Sequence, residues 1–207
     1  LISIGDICLK HNVLVVSDEI HADFVFEGRH SVFADIKPEY ADITLTCTAP
    51  TKTFNIAGLQ ISNIIISNPR LRAAFRRELG AVGYAQGSIA GLVACEAAYR
   101  DGYEWYEAML DYVADNIAFA KRYIAENIPQ IGIADSEGTY LIWLDFRGLG
   151  LSERELDRLI IDKCKLWLDS GAIFGKPGSG FQRINAACPR AVLAEALERI
   201  KNAVTGL

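Results

Sequence analysis

The sequence predicts an α/β fold joined to a smaller α+β unit, and three observations carry that reading. The run Val13-Leu14-Val15-Val16 is continuously apolar, which suits a strand covered on both faces in a parallel sheet. Helical patterns alternate with it and with two further β-rich runs. Beyond a long amphipathic stretch from Tyr103 to about Asn127, short strand-like runs precede a last helix. The expected division is residues 1–100 for the α/β part, and 101–207 for a linking helix and the smaller α+β unit.

Taken in order, Leu1, Ile4, Ile7 and Cys8 recur at helical spacing, so residues 1–11 read as a helix. It has no cap, and the sequence lacks an initial Met, as if it began inside a domain. After the first strand, residues 18–41 read mostly as loop, with a short strand at Phe24-Val25-Phe26 turned by Glu27-Gly28. Ile43–Thr46 and Gln60–Ile66 are β-rich and enclose the polar segment Thr48–Gly58. Asn68 before Pro69 predicts a helix start, because Asn accepts from free N–H groups and Pro is tolerated at the first helical position. A small-residue helix is expected from about Gly87 to Arg100, and the amphipathic one from Tyr103 ends before Pro129. Strands follow at Ile131–Ala134 and Thr139–Leu144, then a helix opened by the capping box Ser152-x-x-Glu155. Leu166–Leu168, Ala172–Phe174 and Phe181–Ala187 read as strands, and a helix from about Arg190 to Val204 closes the chain.

Composition narrows the function classes. With 51% hydrophobic and 23% charged residues, the 207-residue chain is neither disordered nor fibrous. A net charge of -5 gives no attraction for nucleic acid, and Arg70, Arg72, Arg76 and Arg77 read as a solvated helix face. No apolar run approaches the roughly 18–20 residues needed to span a bilayer. The opening segment lacks a basic region ahead of an apolar stretch, so a soluble, unexported protein is expected. Five scattered cysteines without a C-x-x-C pair fit reduced thiols in a cytoplasm.

Three segments could carry chemistry. Asp18-Glu19-Ile20-His21-x-Asp23 follows a predicted parallel strand, where open α/β sheets place their ligand sites. A metal is disfavoured because His11 and His30 lie at no recognised ligand spacing, and the plain alternative has Asp18 capping a turn. Lys52 stands among hydroxyls in Thr48–Asn55; desolvated, it could form an imine with a carbonyl, and otherwise it is a surface lysine. Gly171-x-x-x-Gly175-Lys176-Pro177 lacks the spacing and the hydroxyl of a nucleotide loop. Arg183 lies in an apolar strand pattern and needs an anion, for which a carboxylate is the natural partner.

Taken together, Ser17-Asp18-Glu19-Ile20-His21, Thr51–Gln60, Glu137-Gly138-Thr139-Tyr140 and Arg183–Arg190 resemble, in order and spacing, the class I/II aminotransferase superfamily. Within it the sequence is most similar to the cystathionine β-lyase branch of bacterial carbon–sulfur lyases. The resemblance covers essentially all 207 residues. It implies the C-terminal part of the fold type I large domain, dependent on pyridoxal 5′-phosphate (PLP), plus the small domain. It further implies that Lys52 binds PLP as an imine, Asp18 pairs with the pyridine nitrogen, Thr51 reaches the phosphate and Arg183 takes the substrate α-carboxylate. His21 stands where typical members have a Tyr directed at the ring oxygen, and Gln60 where they place an Arg on the phosphate. Both departures match the lyase branch, which favours β-elimination. The implied enzyme is a homodimer whose other phosphate and ring contacts lie upstream of Leu1. Two alternatives stay open: an aminotransferase, and a non-catalytic module of the same fold.

Overall fold

The computed structural model describes residues 1–84 and 87–206. The chain forms two compact units, Leu1–Glu107 and Ala108–Leu207.

In the first unit, helix α1 (Ile2–Lys10) leaves Leu1, Ile2, Ile4 and Ile7 exposed, and its buried residue is Gly5. The missing side chain there makes room for the Tyr40 ring: a Cβ on Gly5 would stand 2.2 Å from Tyr40 Cζ. The Tyr40 hydroxyl shares its one proton between Asp6 Oδ1, 2.7 Å away, and the Ile2 carbonyl, 2.8 Å away, and Lys37 Nζ donates to the same Asp6 oxygen at 2.6 Å. The Lys37 bond first, then that of Tyr40, holds the Asp6 carboxyl below its usual range. Strand β1 (Val15–Asp18) starts two residues later than the apolar run predicts, and Val13 and Leu14 are half-exposed. The expected strand at 24–26 is reduced to an isolated bridge at Val25. The Phe24 N–H bonds to the His21 carbonyl at 3.0 Å, which is turn geometry, and Gly28 takes φ 75° where a side chain would be strained. Part of the predicted loop is ordered as a 3₁₀ turn, Phe33–Asp35, and a short helix α2 (Pro38–Ala41).

Strand β2 (Thr44–Thr48) pairs parallel with β1, Val15 opposite Thr44 and Asp18 opposite Cys47. A helical turn α3 (Pro50–Thr53) leads toward β3 (Asn63–Ile65), which pairs antiparallel with β2 and is shorter than the β-rich run, since Gln60 adopts a left-handed φ of 51°. The sheet order is β1-β2-β3, mixed in direction. Asn68 caps α4 (Pro69–Ala81), accepting from the N–H groups of Arg70 and Leu71. Ser88 caps α5 (Ile89–Asp101), and the long helix α6 spans Tyr103–Asn127.

In the second unit, β4 (Gly132–Ile133), β5 (Leu141–Asp145), β6 (Asp169–Ser170) and β7 (Phe181–Asn185) form an antiparallel sheet of order β4-β5-β7-β6. Ile142, Leu144, Gln182 and Ile184 alternate onto its buried face, as period two requires. The core is completed by Val113, Ile117, Ala120 and Ile124 of α6 and by Leu193, Leu197, Ile200 and Val204 of α8 (Arg190–Thr205). Buried Asn116 is satisfied: its amide donates to the Ala186 and Cys188 carbonyls at 2.8 Å each, and its oxygen accepts from Arg190 Nε at 2.6 Å. The capping box of Ser152 and Glu155 opens α7 (Glu153–Arg158), which runs on into a π-helical turn, Leu159–Lys163.

Two expected strands are absent. At 166–168, Lys165 takes φ 55° and the Leu166 N–H closes the π-helical turn on the Ile160 carbonyl at 3.0 Å, leaving Trp167 in solvent. At 172–174, Gly171–Phe174 is a 3₁₀ turn, held where Gly171 and Gly178 meet backbone to backbone. Among the described residues no helix is long and apolar enough to cross a membrane.

Candidate functional site

The parallel pairing of β1 and β2 brings their C-terminal ends to one edge, and the polar segments of interest leave from that edge. Asp18 is the last residue of β1 and is exposed. Its Oδ1 accepts from the Ile20 N–H at 3.3 Å, so the turn-capping role is present. The next residue, Glu19, is buried and extends the ladder, donating its N–H to the Cys47 carbonyl at 2.8 Å. Its carboxylate accepts from the Ser17 hydroxyl at 3.0 Å and the Phe33 N–H at 3.2 Å, and its Oε2 lies 2.9 Å from His30 Nε2. A buried carboxylate needs such partners. Glu19 therefore fastens the loop at residues 30–33 to the strand end that presents Asp18. His21 lies one turn further on, its ring 6.1 Å from that of Phe24.

Burial first, and then the Asp18 carboxylate, push the neighbouring Cys47 thiol up.

Lys52 occupies α3, the single turn that follows β2. Pro50 at the first helical position presets φ, while Thr51 and Thr53 are buried on either side of it. Thr53 Oγ1 donates to Asp23 Oδ2 at 2.6 Å, and the Ile56 N–H closes on the Thr51 carbonyl at 3.0 Å. Asn55 at φ 52° allows the chain to turn back. The turn is thus tied down on its inner side, and Lys52, between the two buried threonines, is exposed. Asp18, His21, Thr51 and Lys52 all belong to the first unit. Asp23 was legible as part of the acidic loop, but its grip on Thr53 spans 30 residues and no local pattern announces it.

Arg183 belongs to the second unit, on the face of β7 opposite the core, with Trp143 and Asp169 directly across on the neighbouring strands. Its Nε and Nη2 both donate to Asp169 Oδ2, at 3.1 and 2.7 Å. The guanidinium carbon lies 4.5 Å from the centre of the Phe174 ring. Asp169 is the anionic partner an arginine in an apolar strand requires, and the sequence pattern did not point to it. In the segment Glu137–Tyr140, Thr139 takes φ 63°, rare for a β-branched residue, and burial raises the Tyr140 hydroxyl while the Arg183 charge opposes it. Among the described residues no group of three or more His, Cys, Asp or Glu side chains is placed to hold a metal ion.

The family model for aminotransferase class I and II matches residues 1–200. Cystathionine β-lyase PatB of Bacillus subtilis (strain 168) is 41% identical over 206 residues, which cover 99% of this chain and 53% of that protein. Cystalysin of Treponema denticola, whose crystal structure contains a pyridoxal 5′-phosphate cofactor, superposes with a TM-score of 0.94 at 40% identity, covering 98% of this chain and 52% of that one. A PLP-bound protein of Clostridium difficile 630 described as an aminotransferase gives a TM-score of 0.94 at 47% identity, over 97% and 52% of the two chains. The chain spans about half the length of the curated relatives it matches. It belongs to the class I and II aminotransferase family, and its fold is the fold type I architecture of PLP-dependent enzymes.

Proposed function

We propose that a polypeptide of its relatives' length carrying this chain is a PLP-dependent carbon–sulfur lyase. It cleaves L-cysteine S-conjugates such as cystathionine to a thiol, pyruvate and ammonia. The observation that carries elimination is the 41% identity, over 99% of the chain, to a protein named cystathionine β-lyase. His21 and Gln60, standing where typical aminotransferases carry Tyr and Arg, support the same branch.

The donor set at the strand ends fits PLP. An exposed carboxylate, Asp18, ends β1, and an exposed lysine, Lys52, lies in the turn that follows the adjacent parallel strand β2. When bound, PLP supplies an aldehyde that condenses with amines and a ring that accepts the electron pair left by a departing α-proton. Lys52 Nζ would hold the cofactor and is the base that would take the proton from the substrate α-carbon. Asp18 keeps a proton on the pyridine nitrogen, since an adjacent carboxylate favours the charged ring. His21 donates toward the ring oxygen, and Thr51 lies beside Lys52 for the phosphate. Arg183 receives the substrate α-carboxylate by charge-assisted bonds. The enzyme is proposed to be a homodimer, and its five free cysteines support a reducing, cytoplasmic setting.

A second reading is transamination, favoured by the 47% identity to the Clostridium difficile protein. Both readings share the steps through removal of the α-proton. Incubation with L-cystathionine in the absence of any keto acid separates them. Stoichiometric pyruvate and thiol are the expected products, whereas amino-group transfer only on adding a keto acid would overturn elimination.

A further inference from the structure

We infer that Asp169 and Phe174 are positioning residues for substrate, fixing the Arg183 guanidinium so that one edge is committed within the protein and the other is presented to the amino-acid carboxylate. The inference rests on the reading of Arg183 as the carboxylate receptor. It begins from the register. Trp143, Arg183 and Asp169 are consecutive cross-strand neighbours on β5, β7 and β6, so their side chains share one sheet face. The opposite face of β7 carries the buried Gln182 and Ile184, so Arg183 cannot turn into the core.

Two restraints act on the guanidinium. Within its plane, a single oxygen, Asp169 Oδ2, accepts from both Nε and Nη2 at 3.1 and 2.7 Å, occupying the side edge of the fork. The end edge, formed by Nη1 and Nη2, points away from Asp169 and is the edge that offers two parallel N–H groups to a second carboxylate. The guanidinium carbon also lies over the Phe174 ring, 4.5 Å from its centre, a cation–π contact. Phe174 is itself held edge-on by Trp143, at 5.3 Å between ring centres, and Trp143 in turn meets Phe181 at 6.1 Å. The 3₁₀ turn that delivers Phe174 closes with the Gly175 N–H on the Ala172 carbonyl at 3.1 Å, and its first residue, Gly171, passes close against the Gly178 backbone.

The sign of the effect follows from comparing two opposing contributions. Asp169 partly neutralises the arginine, which weakens attraction for a second anion. The pair is partly exposed, with side chains 25% and 45% accessible, so solvent screens that competition. Against it stands the freedom of a long side chain with four rotatable bonds, which must be lost whenever the carboxylate binds and which Asp169 and Phe174 have already removed. Preorganisation wins, and the pair strengthens substrate binding.

The test compares Asp169→Ala, Asp169→Asn, Phe174→Leu, Arg183→Ala and the double variant Asp169→Ala/Arg183→Ala in the PLP-loaded protein of the relatives' length. Measured for each are KM and kcat for L-cystathionine, the dissociation constant for L-alanine by cofactor absorbance, and the Arg183 Nε–H resonance by NMR. Asp169→Ala and Phe174→Leu are expected to raise KM and the L-alanine constant about 3- to 10-fold with kcat within about 2-fold. Asp169→Asn, which keeps an acceptor oxygen, is expected to fall between wild type and Asp169→Ala. The double variant should be no weaker than Arg183→Ala alone, and the Nε–H resonance should lose its restricted-rotation signature in Asp169→Ala. Binding that is unchanged or tighter in Asp169→Ala, while Arg183→Ala still weakens it, would overturn the inference and leave the receptor reading intact. No change in Arg183→Ala would instead remove the receptor reading itself. Equal further loss from Asp169→Ala in the Arg183→Ala background would show a general structural role and also overturn it.

Discussion

Lys52 has neighbours that fix its backbone and leave it exposed, and that contrast suits the covalent anchor proposed for it. Buried Thr51 and Thr53 hold the turn, while the side chain between them stays free to exchange one carbon partner for another. Lys52→Ala in the PLP-loaded protein of the relatives' length is expected to lose turnover by at least about 10²–10⁴-fold, the usual worth of a positioned proton-transfer group. It should also lose the absorbance of the lysine-bound cofactor. Near-normal rates would move the cofactor amine elsewhere. Cys164 illustrates the opposite case, a titratable group with no place in the chemistry. It is 1% exposed, and burial pushes its thiol from 9.0 up to about 11. Folding therefore favours the neutral thiol; the contribution is fully present below pH 9 and is lost as pH rises toward about 11. Relative to Cys164→Ala, the wild type should lose on the order of 2 kcal/mol of stability over that window. Denaturant midpoints at pH 8, 9.5 and 11 measure it, and parallel pH dependences in the two proteins would refute the burial argument. Residue types were legible in the sequence; partnerships were not. Asp18, Lys52 and Arg183 stand out as charges beside apolar runs, but the Asp169 carboxylate on Arg183 and the Asp23 carboxylate on Thr53 depend on pairings 14 and 30 residues apart.

At the scale of elements, the longer helices are legible where local punctuation or a long period marks them, whereas α2 and α3 are too short to show a period. Asn68-Pro69 and the Ser152–Glu155 box are local chemistry, and the amphipathic period, closed by Pro129, sets α6 to Tyr103–Asn127. Strands were read less well, since a short apolar run is satisfied equally by a ladder, a turn or an exposed edge. Leu166–Leu168 and Ala172–Phe174 fail as strands for reasons outside their own composition: a left-handed Lys165 in one case, and the Gly171–Gly178 approach in the other. The direction of β3 was equally invisible, because the pattern of a strand does not encode its neighbour's sense. Gly5 shows how tertiary context reverses a local preference. In an isolated helix Gly→Ala is favourable by roughly 1 kcal/mol. Here a Cβ would stand 2.2–2.7 Å from three atoms of the Tyr40 ring, which is fully buried. Gly5→Ala is therefore expected to destabilise the protein by about 1–3 kcal/mol, the range for overpacking, and to release the Tyr40 hydroxyl from Asp6 and the Ile2 carbonyl. Thermal melts read the first effect and the ultraviolet titration of Tyr40 the second; a Gly5→Ala protein that melts higher would show the helix preference prevailing.

Across the whole molecule the two units differ in how well they enclose apolar surface. Large side chains that are almost fully buried include Ile124, Ile128, Ile142, Leu144, Ile160, Leu193, Leu197 and Ile200 in the second unit, against Phe24 and Tyr40 in the first. The first unit instead leaves Leu14, Val16, Ile65, Ile89, Leu92 and Val93 more than half exposed, on α5 and on or beside strands of its sheet. A strand face such as that of β1, composed for burial yet open, gives up the roughly 25 cal/mol per Å² that covering it would contribute. It also presents a patch of the kind that drives association. Two consequences are expected of the 207-residue chain produced alone. Amide exchange should be slowest in β5, β7 and α8, with the strands of the first unit opening at lower free energy, because local stability follows apolar burial. Light scattering should report self-association that grows with concentration and recedes on adding mild denaturant. PLP titrated into the same sample should bind weakly, with little lyase activity, since Thr51 is the phosphate contact proposed for this chain and no helix N-terminus is proposed beside it. Uniform exchange protection in both units, in a monodisperse monomer that binds PLP at micromolar concentration and cleaves cystathionine, would contradict this account at the level of the chain. The roles of Lys52 and Arg183 would then rest on their own variants, which are measured independently of association.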